Sequence, residues 1–147
     1  MAEEIRFYSK NEQYAFLSNF HKCDFTLDGR TWATVEHYFQ AAKTDDQGEI
    51  ARVHGADTPA KAKALGRRVM LRTNWEAVKL DVMRKGLAAK FAIPDLRARL
   101  IATGEARLIE AAPRDYFWGA GAKGTGKNWL GVLLMELRVN LGQRSHS

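Results

Sequence analysis

The pattern of apolar and polar positions divides the chain into a short extended opening and a long helical remainder. Residues 5–8 (IRFY) and 14–17 (YAFL) are dense in strand formers, and residues 24–33 (DFTLDGRTWA) alternate around Asp28-Gly29, a dipeptide suited to the type I′ turn of a hairpin. Helical spacing then takes over. Thr34 is placed to cap a helix within residues 34–43 (TVEHYFQAAK), Thr58-Pro59 opens a helix to about residue 71, and Asn74 opens another whose Val78, Met83, Leu87 and Phe91 form an apolar face. Pro94 starts a further helix that Gly104 ends in the left-handed conformation. Residues 107–111 (RLIEA) read as a short strand, and the last helix runs from an Asn128 cap to about Leu141, with Gly142 as its stop. Its LGVLLMEL segment is apolar most of the way round, as in a helix central to a core. The expected fold class is α+β, a mostly helical single domain over residues 1–147 with a small β-sheet.

Within residues 34–43, at about 100° per residue, Val35, Tyr38, Phe39 and Ala42 share one side of the helix. Glu36, Gln40 and Lys43 form a polar stripe along its border, at i, i+4 and i+7. Helical side chains cover the preceding turn, so Lys43 leans toward Glu36. A carboxylate, an amide and an amine then share one space. The bland reading makes Glu36 a complement to the helix dipole and Lys43 a solvated helix end. The shared stripe favours chemistry, because a carboxylate stabilises a developing oxocarbenium ion or activates water, and an amine attacks an aldehyde carbon. His37 falls on the opposite side, on the outside of the helix.

With 147 residues, 46% hydrophobic and 27% charged, the chain has the composition of a soluble globular protein and can bury about 70% of its unfolded surface. MAEEI carries no leader pattern and no apolar run spans a bilayer, so a cytoplasmic location and no membrane partner are expected. Cys23 is the only cysteine, which excludes an intrachain disulfide. The net charge of +6 is uneven: residues 61–100 hold eleven basic and three acidic residues. Two readings stand for that concentration, an anionic partner such as a nucleotide or nucleic acid, and helices with ordinary wet faces.

Residues 119–128 (GAGAKGTGKN) imitate both GxGxxG and the start of a P-loop. Asn128 stands where a P-loop needs Ser or Thr, and the βαβ context of a dinucleotide fold is missing. What remains is either a loop with free backbone N–H groups leading into a helix N-terminus, hence a phosphate cradle, or a plain glycine-rich turn. Upstream, DYFWG at 115–119 is either a stacking platform with a carboxylate at its edge or a set of core aromatics. His21 and Cys23 lack a second ligand pair, so no zinc site is expected, and nothing local supports a Cys23 nucleophile.

Several strings together carry a resemblance: FLSNF at 16–20, LDGRTWATVEHYFQAAK at 27–43, NWEAVKLDVM at 74–83, ATGEARLIE at 102–110, DYFWG at 115–119 and GKNWLGVLLMELR at 126–138. In order and spacing the chain resembles the NADAR (NAD and ADP-ribose), or YbiA-like, family nearly end to end. The resemblance implies an α+β N-glycosidase that cuts a ribose C1–N bond without metal or cofactor. Its substrates would be ADP-ribosyl-guanine in nucleic acid, phosphorylated intermediates of riboflavin biosynthesis, or both. It also implies ADP-ribosylated DNA or RNA as partner and an association with an ADP-ribosylating toxin system. Carried over by motif, Glu36, Lys43 and Asp115 are the catalytic residues expected. Asn19, Trp32, Gln40, Trp118, Gly119, Gly121 and Asn128 are the expected substrate-binding residues, the 115–128 loop forming the wall opposite the helix. Lys43 has two roles open to it, a Schiff base with ring-opened ribose, or neutralising phosphate and orienting Glu36. The less distinctive stretch 44–58 is where substrate choice would be decided. The alternative reading is a non-catalytic ADP-ribose or nucleic-acid binding module.

Overall fold

The structure, a computed structural model, describes residues 3–10 and 13–145; the first two residues of the MAEEI segment lie outside them. In chain order the described elements are β1 (Glu4–Phe7), a 3-10 turn (Ala15–Leu17), β2 (Phe25–Leu27), β3 (Arg30–Trp32), α1 (Val35–Ala41), α2 (Gln47–His54), α3 (Pro59–Gly66), α4 (Trp75–Lys90), α5 (Pro94–Ala102), β4 (Arg107–Glu110) and α6 (Trp129–Ser145). The class is α+β, with helices predominating over two short strand pairs. The chain forms two compact units, residues 19–90 and the segments on either side of them.

In residues 19–90 everything is arranged about α1. Thr34 caps it by accepting from the His37 amide (3.1 Å), and the Asn19 carbonyl takes the Glu36 amide (3.1 Å), so two N–H groups that a helix start leaves open are satisfied. All seven residues of α1 are buried, polar ones included. His37 is therefore not on an outer face. It is 1% exposed, with Nε2 on the Ala56 carbonyl (2.9 Å) and Nδ1 on the Thr34 hydroxyl (2.8 Å). A carbonyl only accepts, so Nε2 carries a proton there. Helical periodicity assumed one wet side, and the packing of α2, α3 and α4 around α1 removes it.

The hairpin is as expected: Asp28 (φ 53°) and Gly29 (φ 78°) make the left-handed turn, and Phe25 pairs with Trp32 across β2 and β3. Helix α2 falls in the stretch 44–58, which periodicity left blank. Asp46 caps it by accepting from the Glu49 amide (2.8 Å). Helix α3 stops at Gly66 rather than near residue 71, because the chain beyond it is drawn to other acceptors. The Met70 amide donates to the Glu49 carboxylate (3.0 Å) and the Arg72 amide to the Lys43 carbonyl (2.8 Å).

In the flanking segments, β1 and β4 pair in parallel, Ile5 opposite Leu108, and α6 packs on β4 with α5 beside it. Phe7, Phe91, Leu100, Leu108, Leu133 and Leu134 form the core here. Residues 14–17 are not a strand. They turn into a 3-10 helix that buries Phe16 and Leu17, with the Arg99 guanidinium 4.2 Å from the Phe16 ring centre. Helix α6 passes through Gly142 to Ser145 and leaves Val132 and Val139 exposed, so it is less enclosed than its composition suggests. No helix among the described residues is long and apolar enough to cross a membrane.

Candidate active site

The expected site residues fall in both units. Asn19, Trp32, Glu36, Gln40 and Lys43 belong to residues 19–90, whereas Asp115, Trp118, Gly119, Gly121 and Asn128 belong to the other.

In the first unit, helical spacing does what the stripe implied for Glu36 and Gln40. Gln40 Nε2 donates to Glu36 Oε1 at 2.8 Å, and both side chains are buried. That bond fixes the orientation of the amide and leaves Gln40 Oε1 as a buried acceptor with no partner. Asn19 is in the same condition: its Nδ2 reaches only the Met83 sulfur (3.5 Å) and its buried Oδ1 has none. A missing partner for a buried polar atom costs about 1–3 kcal/mol, so such atoms mark strain or a ligand's place. The Gln40 amide is wedged against Gly66, where any Cβ would overlap it, so α3 can approach α1 only with glycine at that position.

Lys43 lies one residue past the Ala42 cap, not on the helix proper. Its carbonyl is held by the Arg72 amide, and its Nζ sits 5.7 Å from the Phe39 ring centre. Burial lowers the pKa of this half-buried amine below 10.5; the Glu36 carboxylate opposes that shift, and Arg67, Lys63 and Lys79 reinforce it. The amine is thus easier to deprotonate than a surface lysine and keeps a carboxylate within electrostatic reach. The stripe reading missed this cationic surround. Its trace in the sequence was the excess of basic residues after position 60.

Trp32 does not join this group. Its Nε1–H is spent on the Leu27 carbonyl (2.9 Å), and its ring meets Tyr38 edge-on at 5.5 Å. Tyr38 lies about half a helix turn from Glu36 on α1. Cys23 is buried and its thiol pKa is raised, chiefly by burial, which is opposite to what a nucleophile needs. Among the described residues no three His, Cys, Asp or Glu side chains cluster to hold a metal ion.

In the loop of the second unit, the amides that lead into α6 are not free as the phosphate cradle requires. The amides of Lys127, Trp129, Asn128 and Leu130 donate to the carbonyls of Tyr116, Phe117, Gly119 and Trp118, at 2.8 to 3.1 Å. Those of Ala120, Ala122 and Gly126 also bond to carbonyls between Glu110 and Ala120. The start of α6 is therefore closed by its own loop. Asn128 is not a side-chain cap. Its backbone is left-handed (φ 53°), its Oδ1 accepts from the Glu110 amide (2.9 Å), and its Nδ2 donates to the Leu108 carbonyl (2.9 Å), fastening the loop to β4. Asp115 Oδ1 accepts from the amides of Phe117 (3.0 Å) and Trp118 (2.8 Å), a side-chain turn that shapes the aromatic segment. Trp118 is half-buried against Phe117, edge to face at 4.8 Å. Gly121 (φ 72°) lies under the Tyr116 ring, and Gly119 is closed in by the carbonyls of Asp115 and Glu110.

Comparison with known proteins agrees with this architecture. A family profile described as the NADAR domain matches residues 6–142, and the chain belongs to that family. Among its relatives, the protein of Escherichia coli (strain K12) called N-glycosidase YbiA is 47% identical, over 93% of this chain and 88% of that one. N-glycosidase Npun_R5314 of Nostoc punctiforme is 41% identical over 93% and 92%. Riboflavin biosynthesis protein VVA0006 of Vibrio vulnificus is 37% identical over 99% of this chain and 40% of its own length. The NMR structure of E. coli YbiA matches with a TM-score of 0.91 at 44% identity, covering 100% of this chain and 90% of that one.

Proposed function

We propose that this chain, a hydrolase of N-glycosyl compounds, cleaves the ribose C1–N bond of a phosphorylated ribosyl conjugate at Glu36 and Lys43. The observation that carries the reading is the buried Glu36–Gln40 pair beside an amine destabilised in its charged form. As the C1–N bond breaks, positive charge grows on C1 and the ring oxygen, and the Glu36 carboxylate stabilises it. Water supplies the new C1–O bond; one of its protons ends on the departing nitrogen and the other stays on the C1 hydroxyl. The lowered pKa of Lys43 supports a covalent route in place of that direct attack by water: the ring opens with the base still held to C1 as an imine, Nζ adds to C1, the base leaves with its nitrogen protonated, and water then hydrolyses the Lys43 Schiff base to free the amine. Arg67, Lys63 and Lys79 around it support an anionic substrate. Asp115 has one carboxylate oxygen bound to two amides and is assigned no step.

For the substrate itself, relatives named for riboflavin biosynthesis support the phosphorylated intermediates of that route. The family resemblance alone supports ADP-ribosyl-guanine. Incubation with each substrate, with the released base followed by mass spectrometry, tests both. Hydrolysis of either, lost in Glu36→Gln, is the expected result. Tight binding of both with no base released would make the chain a binding module instead.

A further inference from the structure

A cavity of about 320 Å³ opens on the side of α1 away from the Glu36 stripe. At about 100° per residue, Tyr38 and Ala41, which floor it with Ala42, lie on the side of α1 opposite Glu36 and Gln40. Its volume is at the lower end for small-molecule sites, which run from about 300 to 1,000 Å³. Trp32, Tyr38, Ile50 and Val82 make one apolar compartment, and Arg30, Arg72 and Lys85 bring positive charge against the single carboxylate of Asp28.

The charges are unequally matched. Asp28 lies 3.7 Å from Lys85, and its charge also acts on the Tyr38 hydroxyl, raising that group's pKa. Arg72 bonds only to neutral oxygens, Asn74 Oδ1 (2.9 Å) and the Ala42 carbonyl (3.4 Å), so nothing neutralises it there. The Arg30 guanidinium, half-buried on β3, has no side-chain hydrogen bond or ion pair among the described residues. Two guanidinium groups without a counter-charge beside an apolar pocket call for a ligand with an oxyanion at one end and a flat apolar body at the other. Burial, followed by Asp28, pushes Tyr38 up to about 12, so its hydroxyl stays neutral and repels no anion.

We propose that this cavity is a second ligand site, taking an aromatic anion the size of a mononucleotide, with its phosphate on Arg30 and Arg72 and its ring between Trp32, Tyr38 and Ile50. The proposal is independent of the reaction assigned to Glu36 and Lys43. Nothing in that reaction uses Arg30, so Arg30→Gln keeps its turnover.

The test is an NMR titration of the full isotope-labelled chain with adenosine 5′-monophosphate, with adenosine, and with inorganic phosphate. The nucleotide is expected to shift the amides of Trp32, Ala42 and Ile50 and to bind more tightly than either fragment. Arg30→Gln should weaken it about tenfold, or ~1.4 kcal/mol, with no change in thermal unfolding. Ala42→Leu, which fills the floor, should abolish it. Shifts confined to Glu36, Gln40 and Lys43 would overturn the proposal, as would equal affinity in Arg30→Gln or phosphate alone binding as tightly as the nucleotide. Absence of any shift at these amides would do the same.

Discussion

Helix α1 and the loop at 111–128 both looked like ligand-binding segments, and they treat their polar groups in opposite ways. The loop turns many of its groups inward: six of its amides from Ala120 to Asn128 donate to nearby carbonyls, and the side chains of Asp115 and Asn128 bond main-chain groups. In α1 and its neighbours, buried acceptors on Asn19 and Gln40 lack partners, and an amine is held where its charge is disfavoured. A glycine-rich motif full of N–H groups can be inert scaffold. A short, fully buried helix can hold the reactive groups, because incompletely matched polarity is where a substrate gains most by arriving.

The sharpest way to break this contrast is Glu36→Gln. It should lower turnover by about 10²- to 10⁴-fold, the span of a lost general base or charge stabiliser, with a melting curve close to that of the parent. Steady-state rates and calorimetry on the same samples decide it. Replacing Lys43 by Met should remove the adduct that borohydride traps from the parent enzyme and substrate. An undiminished rate in this variant would return Lys43 to an electrostatic role. Where the neutral amine is the reactive form, the rate should rise with pH along an alkaline limb. Because the pKa of Lys43 is lowered, that limb has its midpoint below 10.5.

Smaller effects separate packing from chemistry. Gly66→Ala forces a Cβ into the Gln40 amide and should cost about 1–3 kcal/mol in urea unfolding. Gly142→Ala meets nothing within van der Waals reach on α6 and should be neutral or stabilising by up to about 1 kcal/mol. Least of all, Asp115→Asn retains an oxygen for the two amides of its turn and should change turnover by only a few-fold. A loss as large as that of Glu36→Gln would restore Asp115 to the chemistry.

What the sequence made legible was local. The Thr34 and Thr58 caps, the Asp28-Gly29 turn, the Gly104 stop and the Glu36–Gln40 spacing each depend on a few consecutive residues and appear as read. What it concealed depends on distant segments. Residues 14–17 have strand-like composition but no strand beside them, since β1 takes β4 as its partner. The end of α3 is set by Glu49 and Lys43, and the role of Asn128 by Leu108 and Glu110, far away in sequence. Helix α2 was the reverse case. Its Asp46 and Glu49 stood at capping spacing, but only Ile50 and Val53 offered an apolar face to notice.

The enclosure of α1 bears on how descendants of this chain could diverge. Its Val35, His37, Tyr38 and Phe39 hold the interior together whether or not any bond is ever cut. A duplicate that lost Glu36 and Lys43 would still be under pressure to retain the rest of VEHYFQA. The string is thus a signature of the scaffold, and under the function proposed above, active and silent copies would differ at Glu36 and Lys43.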